Sequence, residues 1–568
     1  MMTPSGPSPS RPKRQRLRPC KPEPTDPEAP CSTSEPLSPL EPLSPLPRRQ
    51  PAGELGSPQV TPASQAGVNR QDNWASDPAG LGLGSDSAGA DRKPASSKLL
   101  VVANRLPVHR ERQGGATIWK TSPGGLVSAL APILEERGGA WIGWPGFPGE
   151  APEPFEQDGF RLCPVSISQV ELEQFYLGFS NGSLWPLYHD AVRFPEFHRR
   201  WWGPYAEVNE RFARATAEAM ETDDSTVWIH DYQLQLVPGM LRDLRPDARI
   251  GFFLHIPFPP VELFAQLPWR KTILERMLGA DLLGFQTKFG AQNFARAARR
   301  YTSATGTDSE LRFRGRTIRV AAHPISIDTA SYEQLALDPE IQARAEEIRE
   351  EVGRGRKIFL GVDRLDYTKG IDQRLRGFLT LLDRYENAAE LATFVQIAVP
   401  SREMVPEYAQ IRTQVEQQVS RINGTYGEAG RAAVHYLYRS VDVRELVAWY
   451  LAADVMVVSP LRDGMNLVAK EFVACRTSGD GVLVLSEFTG AAIELRQAIT
   501  VNPHDVDGLA SAYELALDLP QTEQRKRMTA LRRVVRRRNV FQWADGFLSD
   551  LSTATSRSSS ERTPESRS

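Results

Sequence analysis

The sequence predicts an α/β fold of two Rossmann-like domains facing one another across a cleft, and three observations carry that prediction. Short apolar, β-branched runs recur in two series. The first holds "KLLVVANR" (98–105), "TVWIHD" (226–231), "RIGFFLHI" (249–256), "DLLGFQT" (281–287) and "RTIRVAAHPISI" (316–327). The second holds "KIFLGVDR" (357–364), "LATFVQIAV" (391–399), "AAVHYLY" (432–438), "DVMVVSP" (454–460), "GVLVLSE" (481–487) and "AITVNP" (498–503). Near-continuous apolar strands of this kind suit parallel sheets covered on both faces. Helical-period segments, such as 331–353, 371–388 and 404–422, lie between many of them, the alternation of a doubly wound architecture. The helix at about 331–353 separates the two series.

These observations set the domain boundaries. Residues 1–95 are rich in Pro, Ser, Gly and Ala and carry 19 of the 44 prolines, so they are expected to be a disordered extension. It contains "RPKRQRLR" (11–18) and a tandem "EPLSPL" (35–46), which favours extended chain. An N-terminal domain over 96–335 and a C-terminal domain over 336–550 follow, with a last helix able to cross back. The Ser/Arg/Thr-rich residues 551–568 are expected to be a loose tail.

Composition narrows the function. The 568 residues carry 68 Lys+Arg against 70 Asp+Glu, a formal net charge of −2. That balance argues against bulk nucleic-acid or membrane-surface binding. No apolar run approaches the roughly 18 residues that span a bilayer. Four cysteines are too few for a disulfide framework, and no apolar run follows the basic N-terminus, so a cytoplasmic protein is expected. Only 11 of the 68 basic residues are lysines, which makes any lysine inside a compact motif conspicuous.

In open α/β sheets ligands bind beyond the carboxyl ends of the strands, so the polar residues there are the candidates. "GVDRLDYTKG" (361–370) ends a strand with Arg364 and then offers Lys369. A guanidinium fork and a compact ammonium together suit a diphosphate. "SPLRDGMNLVAKEFVACR" (459–476) passes through Asp463 and Gly464 into a helix starting near Met465 or Asn466, whose free N–H groups suit an anion. Glu471 lies one turn inside it, placed for ribose hydroxyls, whereas Lys470 points elsewhere and reads as structural. Leu467, Val468, Phe472 and Val473 read as core-facing.

In the N-terminal half, Gly124-Gly125 in "TSPGGLVSAL" permits close backbone approach to a phosphate or sugar, with Arg105 ending the first strand in the same cleft. "FYLGFSNGSLWPLYHD" (175–190) mixes aromatic and polar groups as sugar sites do, although packing is the commoner fate of such rings. Asp231 and His255 each follow an apolar strand. There is no Walker-A loop, no G-x-S-x-G elbow and no zinc-spaced Cys/His set. "GLGLG" (80–84) has no strand before it, and "DVD" (505–507) does not face the basic loop.

Taken together, "NRLPV", "WPG", "VWIHDYQL", "FFLHIPFP", "LLGFQT", "HPISID", "DRLDYTKG", "PSR" and "RDGMNLVAKE" resemble the trehalose-6-phosphate synthases. These are retaining glycosyltransferases of family 20 with the GT-B fold, and the resemblance runs from about 98 to 548. It implies glucosyl transfer from a nucleotide sugar, typically UDP-glucose, to glucose 6-phosphate, giving α,α-trehalose 6-phosphate. By motif, Gly124, Gly125, Arg364 and Lys369 would bind donor diphosphate or sugar. Asp463 and the backbone of Gly464, Met465, Asn466, Leu467 and Val468 would hold donor hydroxyls and phosphate. Glu471 would take the ribose and Val441 the base.

On the acceptor side the resemblance implies that Arg105, Arg402 and Tyr176 grip the sugar phosphate and Asp231 the sugar hydroxyls. Trp185 and His255 would shape the pocket where the sugars meet, and His255, Arg364, Lys369 and Asp463 form the implied catalytic set. It implies no metal and no cofactor beyond the nucleotide sugar, a homo-oligomer, and a separate trehalose-phosphate phosphatase to hydrolyse the product. Retention without a carboxylate nucleophile suggests front-face transfer. Two alternatives stay open: a glucosylglycerol-phosphate synthase using glycerol 3-phosphate, and a catalytically silent regulatory subunit of a trehalose-synthesising complex.

Overall fold

Burial follows the apolar runs. The first strand, β1 (Leu99–Arg105), is buried at every position until Arg105, which emerges at its carboxyl end. The computed structural model describes residues 99–560 except 114–115, 122–126, 128–129, 132, 136–137 and 223–224. The extension expected over 1–95, the Gly124-Gly125 pair and residues 561–568 therefore lie outside the described residues.

The N-terminal sheet is built on β1, β2 (Ala140–Trp144), β3 (Phe160–Pro164), β4 (Thr226–His230), β5 (Arg249–Leu254), β6 (Leu282–Phe285) and β7 (Arg316–Ala322). These run parallel in the order β7-β6-β5-β4-β1-β2-β3, and short antiparallel strands extend both edges to ten. The C-terminal sheet is all parallel. It comprises β8 (Lys357–Arg364), β9 (Ala392–Val399), β10 (Val434–Leu437), β11 (Val455–Val458), β12 (Val482–Ser486) and β13 (Ile499–Val501). Its order is β10-β9-β8-β11-β12-β13. The protein is thus the expected α/β pair of Rossmann-like sheets of a GT-B fold.

In each sheet the order in which strands are added reverses once. The N-terminal one does so between β1 and β4, and the C-terminal one between β8 and β11. Such switch points open a crevice at the strands' carboxyl ends. Arg105 ends β1, His230 and Asp231 end β4, Arg364 ends β8, and Asp463 follows β11. The topology alone therefore gathers four of the candidate side chains at two crevices.

Four helices matter for the site: α1 (Ile371–Arg384), α2 (Pro406–Tyr426), α3 (Leu467–Cys475) and α4 (Val540–Ser560). The last returns to the N-terminal sheet, where the Phe547 ring stacks on Trp228 at 4.5 Å. Trp543, Ala544, Phe547 and Leu551 are buried at helical spacing and anchor the helix as far as Leu551; the helix itself runs on to Ser560, where a loose tail was expected. The single helix expected over 331–353 is in fact broken. Thr329–Leu337 stops at Asp338, whose carboxylate caps the next helix, Pro339–Ile348. Pro339 lacks the N–H that a continuous helix would need and sits instead at a first-turn position. Among the described residues no helix is long and apolar enough to cross a membrane.

Candidate active site

Arg105 is shaped from two sides. Its guanidinium lies over the Trp144 ring, 4.8 Å from the centroid. A Cβ on Gly146, whose φ is +95°, would fall 2.3 Å from a guanidinium nitrogen, so glycine there leaves the arginine its space. Burial lowers the Arg105 pKa and nearby Tyr176 opposes the shift. The group stays cationic regardless, and among the described residues it has no acidic ion-pair partner. From the sequence, "WPG" (144–146) counted only toward the resemblance and Trp144 and Gly146 were given no role; an aromatic ending a buried strand with a glycine two residues on was the available signal.

Tyr176 sits on a π-helical stretch, Leu172–Leu184, a local widening frequent at functional sites. Asn181 on the same stretch donates to the Tyr176 carbonyl at 2.8 Å and accepts from the Tyr232 hydroxyl at 2.8 Å. Arg402, from the other domain, donates to the Tyr232 hydroxyl oxygen at 3.1 Å. The chain of bonds thus ties the aromatic segment of one domain to an arginine of the other.

Arg402 is more heavily engaged than a free phosphate ligand would be. It donates to Asp366 at 3.2 Å and to the Tyr408 hydroxyl, and stands 4.1 Å from the Trp185 ring centroid. Burial would raise the Asp366 pKa, but Arg402, Arg364 and the Thr368 N–H outweigh it and hold the carboxylate well below its usual range. Trp185 also lies under Arg364, at 5.4 Å, and is only 4 % exposed. Its ring therefore shapes the pocket by holding two guanidiniums rather than as an open sugar platform. Asp366, Tyr232, Tyr408 and Asn181 were not singled out from the sequence, because their roles depend on pairing across the domains.

On the opposite wall, Lys369 donates to Asp463 at 2.6 Å, and Asn466 Nδ2 donates to the same carboxylate oxygen at 3.2 Å. Burial works to raise the Asp463 pKa, but Lys369, His189 and Asn466 bring it below the ordinary value. Gly464 next to it packs against the other domain: a Cβ there would lie 2.1 Å from the His255 carbonyl oxygen.

Asn466, at φ +75°, caps α3 by accepting the Ala469 N–H at 3.2 Å. The N–H groups of Leu467 and Val468 precede that bond in the first turn, where a helix has no internal acceptor for them. The Met465 side chain is buried, and its carbonyl accepts from Ala491 at 2.9 Å. Glu471 is buried and accepts from the Tyr450 hydroxyl at 2.8 Å. Burial raises its pKa, and the Tyr450 and Tyr332 hydroxyls moderate the rise. Lys470 is structural, as expected, donating to the Ile325 carbonyl and pairing with Glu494, both at 2.7 Å. Val441 packs against the core just before the helix capped by Asp442.

Asp231, at φ +75°, accepts the His255 N–H at 3.2 Å, and its own N–H donates to the Phe253 carbonyl at 2.8 Å. Burial pushes its carboxyl pKa up to about 6, against the pull of the Tyr232 and His255 N–H groups, Arg364 and Arg402. A carboxyl raised from its ordinary ~4 binds its proton more tightly folded than unfolded. Its stability contribution is therefore full below about pH 4 and lost as pH rises through about 6. Activity should move the opposite way if the carboxylate must accept hydroxyl hydrogen bonds. In a pH series, kcat/KM should fall tenfold per unit below about 6. Asp231→Asn should lack that limb while losing roughly 10–100-fold at neutral pH; an unchanged acidic limb in this variant would remove Asp231 from that role.

Among the described residues no group of three or more His, Cys, Asp or Glu side chains could hold a metal ion. What the two walls offer is cations and hydrogen-bond donors, with carboxylates beside them: an arrangement for phosphorylated and hydroxylated ligands.

The model of glycosyltransferase family 20 matches residues 97–553. A trehalose-6-phosphate synthase of Mycolicibacterium vanbaalenii is 53% identical over 482 residues, covering 82% of this chain and 98% of that protein. A solved α,α-trehalose-phosphate synthase (UDP-forming) from Burkholderia xenovorans, in complex with glucose-6-phosphate, is 34% identical with a TM-score of 0.74. That match covers 80% of this chain and all of the other, 100%. An E. coli structure bound with UDP-2-fluoro glucose is 35% identical with a TM-score of 0.73, over 80% of this chain and 99% of that one.

Proposed function

The chain belongs to glycosyltransferase family 20, among the trehalose-6-phosphate synthases, and from that premise we propose that it moves glucose from UDP-glucose to glucose 6-phosphate without a metal ion. The observation that carries this reading is the facing of the two switch points: Arg105, Tyr176 and Asp231 on one wall, Arg364, Lys369, Asp463 and the α3 N-terminus on the other. The solved relatives that bind glucose-6-phosphate and UDP-2-fluoro glucose support the choice of acceptor and donor.

Arg105 and Arg402 take the acceptor phosphate, helped by Tyr176, and Asp231 takes acceptor hydroxyls. Arg364, Lys369 and the Leu467 and Val468 N–H groups take the diphosphate. Gly124 and Gly125, outside the described residues, are assigned to the donor diphosphate or sugar by their motif alone. Asp463 and the Gly464–Met465 backbone take donor-glucose hydroxyls, Glu471 the ribose, and the Val441 peptide the base.

In the transfer step the acceptor's anomeric hydroxyl oxygen bonds to the donor's anomeric carbon on the face that the diphosphate leaves. The bond from that carbon to the β-phosphate oxygen breaks, and the departing phosphate takes the hydroxyl proton. The products are UDP and α,α-trehalose 6-phosphate, with the donor configuration kept. Arg364, Lys369 and the helix N-terminus meet the charge that develops on the leaving phosphate, the task a metal ion would otherwise serve.

The test is one assay panel with purified protein and EDTA. UDP-, ADP- and GDP-glucose are each offered with glucose 6-phosphate or glycerol 3-phosphate. UDP release should require glucose 6-phosphate and survive the chelator. Activity confined to glycerol 3-phosphate, or dependent on added metal, would overturn the reading.

A further inference from the structure

His230 ends β4, and its fully buried ring lies beside Trp228, with centroids 4.8 Å apart, and near Phe253 at 6.5 Å. The β4–β5 register pairs His230 with Phe253, which brings His255, two residues further on, within reach of the His230 ring. His230 Nδ1 and His255 Nε2 are 3.0 Å apart. That contact holds one proton between two nitrogens, and one ring donates while the other accepts.

Both rings are neutral. Burial drives the His255 pKa down to about 3 and holds His230 well below its ordinary value, where the His255 ring adds to the effect. Two neutral imidazoles can share the bond in two ways. If His255 donates through Nε2, His230 must carry its own proton on Nε2. That atom is buried and has no partner among the described residues. The indole packed against it offers only another donor, Trp228 Nε1, itself without a partner. A protonated Nε2 would therefore set donor against donor, two buried N–H groups with no acceptor between them. The other arrangement leaves His230 Nε2 as a bare acceptor and puts its proton on Nδ1.

We propose that His230 is a positioning residue: its Nδ1–H donates to His255 Nε2 and fixes His255 as the tautomer protonated on Nδ1, a neutral hydrogen-bond donor at the cleft. His255 is half-buried, and its Nδ1 makes no bond among the described residues. Its main chain is clamped on both sides, by Asp231 accepting the N–H and by Gly464 packed on the carbonyl. A ring so held offers its proton to a hydroxyl or phosphoryl oxygen of the nucleotide sugar. This assignment rests on reading the cleft as the glucosyl-transfer site.

The full chain, labelled with ¹⁵N-histidine and free of substrate, gives the direct readout through two-bond ¹H–¹⁵N correlation at neutral pH. His255 should show the Nδ1-protonated pattern, with its signals identified by their loss in His255→Gln. An Nε2-protonated His255 in the unmodified protein overturns the proposal, whatever the enzyme turns over. His230→Phe should release the tautomer and lower kcat about tenfold or more, the worth of one hydrogen bond, with KM within about twofold. His230→Asn, whose amide N–H can stand in for Nδ1–H, should restore most of the loss and keep the His255 pattern. An unchanged kcat in a folded His230→Phe protein also overturns it. Failure of the unmodified protein to transfer glucose would instead count against the proposed reaction, because the tautomer is read without substrate.

Discussion

Lys369→Ala and Arg364→Ala should each lower kcat by about 10²–10³-fold, the scale on which losing a preorganised donor at a transition state is felt. The two losses arise differently. Arg364 makes no close ion pair among the described residues and lies against Trp185, but its charge helps keep the buried Asp366 carboxylate ionised, so its removal deletes a cation from the site and weakens that hold, with Arg402 left to carry it. Lys369 is the nearest cation to the buried Asp463 carboxylate. Deleting it both removes a cation from the diphosphate and leaves a carboxylate balanced mainly by Asn466, which then repels the donor. Asp463→Asn on top of Lys369→Ala should therefore cost less than the two single losses combined. Steady-state kinetics with the double-mutant cycle reads this coupling; near-normal turnover in either alanine variant would remove that residue from the leaving-group role.

Gly464→Ala should be nearly as damaging, through geometry alone. The added methyl would sit 2.1 Å from the His255 carbonyl oxygen, a main-chain atom of the other domain that cannot swing aside. The walls must part, and Asp463, Asn466 and the α3 N-terminus move with the C-terminal wall. A displacement near 1 Å at reacting groups costs about 10²-fold. The expected result is a kcat loss of that order, with UDP binding weakened less than turnover because Arg364, Lys369, Glu471 and Val441, the residues assigned to the nucleotide, keep their places relative to one another within the C-terminal domain. A variant with full activity would show that the domains need not approach this closely.

The degree to which the site was legible differs from residue to residue. Arg105, Asp231, Arg364 and Asp463 were found because each lies at or just after the carboxyl end of a buried strand, and strand periodicity is written in the chain itself. Lys369 stood out because lysine is scarce. Asp366, Tyr232 and Tyr408 were not found, since what makes them matter is a bonded cluster around Arg402 assembled from both domains. The π-helical form of Leu172–Leu184 was equally hidden: its aromatic and polar mixture has no distinguishing period. The break at Pro339 could have been read from the proline, but the surrounding helical period masked it. The anchoring of α4 as far as Leu551 depended on a sheet surface supplied by a distant part of the chain.

On the proposed function, this cleft transfers glucose with retention, using arginine, lysine and a helix N-terminus in place of a metal. The most direct measurement follows UDP-glucose labelled with ¹³C at its anomeric carbon, mixed with glucose 6-phosphate, EDTA and the purified chain, by NMR. One labelled product is expected, an α-linked α,α-trehalose 6-phosphate, formed at an undiminished rate in the chelator. A β-linked product, or no product until a divalent metal is added, would contradict it.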